Sequence, residues 1–124
     1  MKISSKVITT VQPWFPTLRL DNVRVVTGGP VSWFVRSVLR RGAMTFSPFV
    51  FYGRAAYDPA TPRSLGLLVH ELKHIEQYRR YGHAVFLVRY FWAMGRNRFR
   101  YSRELPLEAE AYAIEAAFKA ALES

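Results

Sequence analysis

The spacing of apolar residues changes character about halfway along the chain. Residues 6–11 and 18–27 are β-branched and partly alternating, which predicts two short strands separated by Pro13 and Pro16. Gly28, Gly29 and Pro30 predict a turn. In residues 31–41, Trp33, Phe34, Val38 and Leu39 recur at mixed helical spacing, so a short helix closed by Gly42 is expected. Residues 43–52 are apolar and aromatic and predict a strand or ribbon, in which Pro48 favours a sheet edge or a bulge. Beyond the loop at residues 58–62 the period becomes helical. Residues 64–81 place Leu67, Leu68, Leu72, Ile75 and Tyr78 among their apolar positions, and Gly82 is a natural stop. A second helical stretch covers residues 84–101, weakened at Gly95. Pro106 then stands where a first-turn proline belongs, ahead of a last helix over residues 107–122. Strands first and helices last argue an α+β fold. The expected form is a twisted sheet of about three strands packed on the 64–81 helix, with two further helices.

Length and composition narrow the function classes. A chain of 124 residues is read as one domain over residues 1–124, and its 50% hydrophobic content suffices for a core. The absence of cysteine excludes disulfides, thiolate metal sites and a cysteine nucleophile. The net charge of +9 comes mostly from arginine, densest at Arg96, Arg98, Arg100 and Arg103. Such a surface attracts nucleic acid, anionic lipid or acidic protein. Trp33, Phe34, Phe86, Phe91 and Trp92 beside arginines offer an interfacial surface for weak contact with anionic membranes. Phe99 and Tyr101 among the clustered arginines offer base stacking. The simpler expectation is that these aromatics fill the core, with no obligate nucleic-acid partner. The first residues reach Pro13 without a continuous apolar stretch, and no run is long enough to span a bilayer, so a cytoplasmic location is expected. Nothing in the sequence speaks to oligomeric state.

His70, Glu71, Leu72, Lys73 and His74 form HExxH on the expected 64–81 helix. Histidines four residues apart project from one helical face and can share a metal ion, and imidazole nitrogen suits zinc. Glu71 lies next to that face, where a carboxylate can accept a proton from water and deliver it to a leaving amine. Gly66, Leu67, Leu68 and Val69 on one side and Ile75 on the other predict a largely buried helix, in which these polar groups need partners. A catalytic zinc needs a third protein ligand. The position of a third histidine in HExxHxxGxxH is Arg80. His83 has the wrong spacing and reads as a loop or cap residue, and no aspartate follows the motif. That leaves Glu104, Glu108, Glu110, Glu115 and Glu123. A helical wheel groups Glu108 with Glu115, Lys119 and Glu123 on a polar face. It sets Glu110 nearer the apolar stripe of Leu107, Ile114, Ala117, Phe118 and Ala121. Periodicity therefore prefers Glu110 as the inward group. Ala111, small and one turn after Glu108, keeps Glu108 in contention.

HELKHIEQ, followed by YRRYG, an aromatic helix and PLEAEAY, resembles small bacterial gluzincin-like proteins of the HExxHxxQ type, including the minigluzincins. The likeness runs from about Met44 to Phe118. It implies a minimal zincin-like fold and a zinc-dependent peptide-bond hydrolase acting on a protein or peptide. It implies His70, His74 and Glu108 as zinc ligands and Glu71 as the base. Gln77 matches the family glutamine and would support the histidines from behind. The likeness also implies that the strand within residues 45–52 binds substrate backbone by strand addition. Thermolysin-type enzymes carry an acidic residue four positions after the ligand glutamate; here that position is Tyr112, which would stand behind a histidine instead. Candidates to stabilise an oxyanion are Tyr101, Tyr112 and His83. Taking Glu108 as ligand leaves Glu110 on the flank, expected to pair with an arginine of residues 96–103. Two other functions fit the same residues: a zincin-fold binding module without activity, and a peripheral membrane or nucleic-acid protein.

Overall fold

A computed structural model describes residues 1–96 and 106–123. The fold is α+β, with five α-helices and a three-stranded mixed sheet among the described residues. The first helix, α1, spans Ser5–Val11, where alternation predicted a strand. Two features overrule β-branching there. The Ser4 hydroxyl caps the helix by accepting from the Val7 N–H at 3.3 Å, and Val7 and Val11, four apart, both enter the core. Thr9 and Thr10 turn their hydroxyls back onto the carbonyls of Ser5 and Lys6 at 2.9 and 3.1 Å. Of the second expected strand, only Arg24–Val26 (β1) is extended, because a 3-10 turn at Leu20–Asn22 takes the preceding part. Helix α2 covers Gly29–Ser37, beginning earlier and ending sooner than the pattern suggested. Arg40 then takes a positive φ of 55°, so the helix stops well before Gly42.

Strands β2 (Ala43–Phe46) and β3 (Phe49–Tyr52) form a hairpin whose turn contains Pro48, which therefore punctuates the ribbon rather than lying within a strand. The strand order is β1-β3-β2, with β1 parallel and β2 antiparallel to β3. β3 is thus central, and of the expected substrate strand only the β2 part offers an edge. Period-two alternation sends Ala43, Thr45, Val50 and Tyr52 inward. They meet α3, Pro62–Tyr81, the 20-residue helix that carries HExxH. Its start is fixed by Pro62 and by Thr61, whose hydroxyl accepts from the Ser64 N–H at 3.3 Å. Its end is fixed by Gly82 at φ 80°, whose N–H reaches the Tyr78 carbonyl at 2.7 Å. Leu68, Val69, Leu72 and Ile75 join Val7, Val11, Phe15 and Phe118 in one core cluster.

Helices α4 (His83–Arg96) and α5 (Pro106–Glu123) follow. The arginines at 98, 100 and 103, together with Phe99, Tyr101 and Glu104, lie outside the described residues. The expectation that the remaining aromatics fill the core fails for four of five. Phe86 is buried, but Trp33, Phe34, Phe91 and Trp92 are 46–68% exposed. Each helix turns a narrow stripe inward, Ser32 and Val35 from α2, Phe86 and Tyr90 from α4, and leaves its other apolar positions outside. Among the described residues, no helix is long and apolar enough to cross a membrane.

Gly53, just after β3, sits where backbone passes closest. A Cβ there would lie 2.7 Å from the Arg41 carbonyl oxygen, 2.8 Å from Val35 Cγ1 and 2.9 Å from the Arg36 nitrogen. Two of these are backbone atoms and cannot step aside. Gly53→Ala should therefore destabilise the fold by about 1–3 kcal/mol, read as a lower urea midpoint at unchanged slope. Gly66→Ala, whose new methyl meets first the flexible side chain of Lys119, should cost less.

Candidate metal centre

The described residues contain one group of three metal-ligating side chains that converge: His70, His74 and Glu108, with ligand atoms all within 4.8 Å of one another and all three side chains buried. The histidines come from one face of α3, and the carboxylate comes from the first turn of α5. Oε1 of Glu108 stands 3.3 Å from Nε2 of His70 and 2.5 Å from Nε2 of His74. Two ligand atoms of a tetrahedral zinc, at bonds of about 2.0–2.1 Å, lie about 3.3 Å apart. The His70 contact matches that spacing, and a metal ion would push the His74 contact apart.

The far side of each ring decides the proton positions. His74 Nδ1 lies 2.9 Å from Oε1 of Gln77. The Gln77 amide cannot be flipped, because its nitrogen donates to the Leu107 carbonyl at 3.0 Å and to Glu110 at 3.2 Å. Nδ1 of His74 must then be the donor, and the lone pair of a neutral ring is on Nε2. His70 Nδ1 is likewise 2.9 Å from a carboxylate oxygen of Glu115. Both neutral rings would aim lone pairs at the same carboxylate oxygen. Acceptors facing an acceptor in a buried place repel unless a proton or a cation lies between them. This is the donor arrangement by which proteins orient metal-binding histidines, and it is the observation by which the residues fit a metal. Burial pulls the His70 pKa down, but hydrogen bonds to Glu108 and Glu115 outweigh it and carry it up to about 9. The second oxygen of Glu108 accepts from Arg41 at 3.0 Å, and Arg41 also donates to the Tyr90 hydroxyl at 3.0 Å.

Glu71 is buried beside the trio. Thr45, from β2, donates to its Oε2 at 2.5 Å. The Tyr112 ring stands edge-on to His70 with centroids 4.4 Å apart.

Of the two competing glutamates, Glu108 is the one brought to the histidines. Glu110, which periodicity preferred, is partly exposed at the flank. Lys73 and Arg80 lie 3.4 Å from it, and of the arginines expected to pair with it Arg98, Arg100 and Arg103 lie outside the described residues. The wheel grouped α5 rightly but misjudged its orientation. Its polar stripe of Glu108 and Glu115, with Ala111 between them, faces α3, because α3 presents histidines rather than leucines on that side. Glu115, two turns after Glu108 on the same stripe and a candidate ligand by sequence, instead stands behind His70 at 2.9 Å. It occupies the place given to Tyr112 as the group behind a histidine, while Tyr112 packs on the ring face. Arg41 and Thr45 had no sequence signal, since only tertiary folding brings them in. His83 meets the Ser47 carbonyl at 3.0 Å and stays away from the trio. Tyr101 and Glu104 lie outside the described residues, and Glu123 is exposed.

Residues 2–82 match the eCIS core domain family, named for the extracellular contractile injection system. The chain belongs to that family. No curated protein and no solved structure matches it. The eCIS core match contains Arg41, Thr45, His70, Glu71, His74 and Gln77, and ends before the helix that supplies Glu108 and Glu115.

A histidine with its folded pKa raised from 6.5 to about 9 binds its proton more tightly when folded. Its contribution to stability is complete below about pH 6.5 and is lost as pH rises through about 9. Metal-free eCIS core protein should therefore lose thermal stability across that window, and Glu115→Gln should flatten the loss. With zinc bound the window should disappear, because a ligating imidazole carries no second proton. Melting curves with chelator and with zinc check both statements.

Proposed function

We propose that this eCIS core protein is a zinc-dependent peptidase of gluzincin type. The observation that carries the reading is the convergence of two buried, correctly oriented imidazoles and one buried carboxylate, with a further buried carboxylate, Glu71, beside them. His70, His74 and Glu108 would hold the ion. Zinc in such a site supplies a water whose pKa is lowered toward about 7 and polarises a carbonyl oxygen.

The protein's own groups supply the rest. Glu71 receives the proton of the attacking water and returns it to the leaving amine. Thr45 occupies one Glu71 oxygen and fixes the plane of the carboxylate, so the other oxygen is left for the proton. Glu115 and Gln77 hold the two rings in the tautomer that leaves the Nε2 lone pairs free for the ion these residues would hold. Arg41 and Tyr90 are polar donors at the edge of the trio, suited to negative charge developing on the carbonyl oxygen. The edge of β2 lies alongside α3 and suits an extended peptide. Membership of the eCIS core family adds a setting, that of contractile injection systems.

Glu71→Gln should keep stoichiometric zinc and lose hydrolysis by at least about 100-fold, since the amide keeps shape but accepts no proton. His74→Ala and Glu108→Ala should lose zinc, and Glu110→Ala should retain it. Metal analysis beside a peptide-cleavage assay reads all four. Zinc loss in Glu71→Gln would show that Glu71 is a ligand rather than a base.

The exposed Trp33, Phe34, Phe91 and Trp92 on a chain of net charge +9 favour a second reading, peripheral contact with anionic lipid. Co-sedimentation with phosphatidylserine vesicles, absent with phosphatidylcholine vesicles, is the expected result. Equal pelleting with both, or with neither, would count against it.

A further inference from the structure

A cavity of about 800 Å³ opens beside the trio, with His70, Glu71 and Glu115 among its walls. Its size suits a peptide segment, and its charge is lopsided. Arg40, Arg41, Arg54, Arg63 and Lys119 line it, against Asp58, Glu71 and Glu115. Most of these charges already have partners. Arg41 is bonded to Glu108, Lys119 lies 2.9 Å from Glu115, Thr45 donates to Glu71, and Asp58 accepts from the Ala60 N–H at 3.0 Å. Arg40, Arg54 and Arg63 remain. None of them has an ion pair or a side-chain hydrogen bond among the described residues.

These three guanidinium groups come from three separate places. Arg40 lies between α2 and β2, held at a positive φ. Arg54 follows β3, its N–H on the Arg41 carbonyl at 2.9 Å. Arg63 is in the first turn of α3. Folding brings them to one cavity, so the cluster is not a by-product of a basic stretch. Arg63 also opposes its own helix. A cation at a helix N-terminus is unfavourable, and α3 has no acidic residue in its first turn to offset it. The helix end and the arginines together make the mouth of the cavity positive.

We propose that this cavity selects peptides with acidic residues flanking the bond presented to the metal centre, and that Arg40, Arg54 and Arg63 determine that specificity. The inference rests on the peptidase reading and names its substrate class. Peptide carboxylates suit the lining better than a nucleic-acid backbone. The cations surround a concave space that also holds Asp58 and Glu115, which repel a continuous run of phosphates but can be avoided by separately placed carboxylates. The exposed Trp33, Phe34, Phe91 and Trp92 do not line it.

The test uses Glu71→Gln protein and two fluorescent peptides of equal length and identical centre, flanked by glutamates in one and glutamines in the other. The glutamate peptide should bind about tenfold tighter at low salt, since exposed ion pairs each contribute modestly. The preference should fade as salt is raised. It should vanish in a variant that also carries Arg40→Gln, Arg54→Gln and Arg63→Gln, and shrink in one that adds only Arg63→Gln. Circular dichroism and zinc content confirm that the variants are folded. Equal binding of the two peptides, or a preference that survives the triple substitution, overturns the inference. So does an oligonucleotide of equal charge that binds more tightly through the same three arginines. If the preference depends on the arginines but zinc-loaded wild-type protein cleaves neither peptide, acidic selectivity stands and the peptidase reading alone fails.

Discussion

The carboxylate of Glu108 is fully buried, and a buried charge has to be matched by opposite charge or by donors. The surrounding architecture can be followed outward from that requirement. On one side the match comes from the two α3 histidines, on the other from Arg41 in the segment between α2 and β2. Each partner is then constrained in turn. Arg41 leans on Tyr90 of α4, His70 on Glu115, His74 on Gln77, and Gln77 on the start of α5. A network in which every member has a partner specifies one arrangement of helices more sharply than apolar packing alone, because any slip leaves a polar group stranded.

The sheet serves the same centre from the opposite side. Its inward positions on β2 and β3 are Ala43, Val50, Tyr52 and Thr45, and Thr45 has two tasks. Its hydroxyl fixes Glu71, and its carbonyl accepts from Tyr78 at 3.1 Å. Tyr78 in turn stacks on Phe86, with centroids 3.9 Å apart, and so joins α3 to α4. The hairpin is short, but its register decides whether a hydroxyl or a methionine side chain faces the helix. A shift of one residue would exchange Thr45 for Met44.

The second half of the fold was legible because its signals are local. Thr61, Pro62 and Gly82 mark the ends of α3, and Pro106 marks the start of α5. The i, i+4 histidines declare their shared face. In the first half the pattern misleads at residues 5–11, where capping and period outweigh β-branching. Val7 and Val11, read with Ser4, describe a helix as well as alternation describes a strand. On α5 the amphipathic rule failed for a physical reason. It assumes that the inward face is apolar, whereas here the partner helix presents imidazoles and the inward face has to answer them. Glu115 was readable from its spacing to Glu108. Arg41 and Thr45 were not, since no local pattern tells which distant side chain will complete a buried polar cluster.

The trio also joins parts of the chain that are far apart in sequence. His74 and Glu108 enclose α4 and the segment that leads to α5. A cation coordinated by both would be a cross-link closing that loop, comparable in kind to a disulfide in a chain that has no cysteine. Loop-closure entropy for a span of this length sets an upper scale of about 4 kcal/mol. The ion would thereby act as a clasp for the last helix. Its removal would loosen the first turn of α5 first, while Phe118, buried in the core shared with α1, the sheet and α3, still holds the later turns.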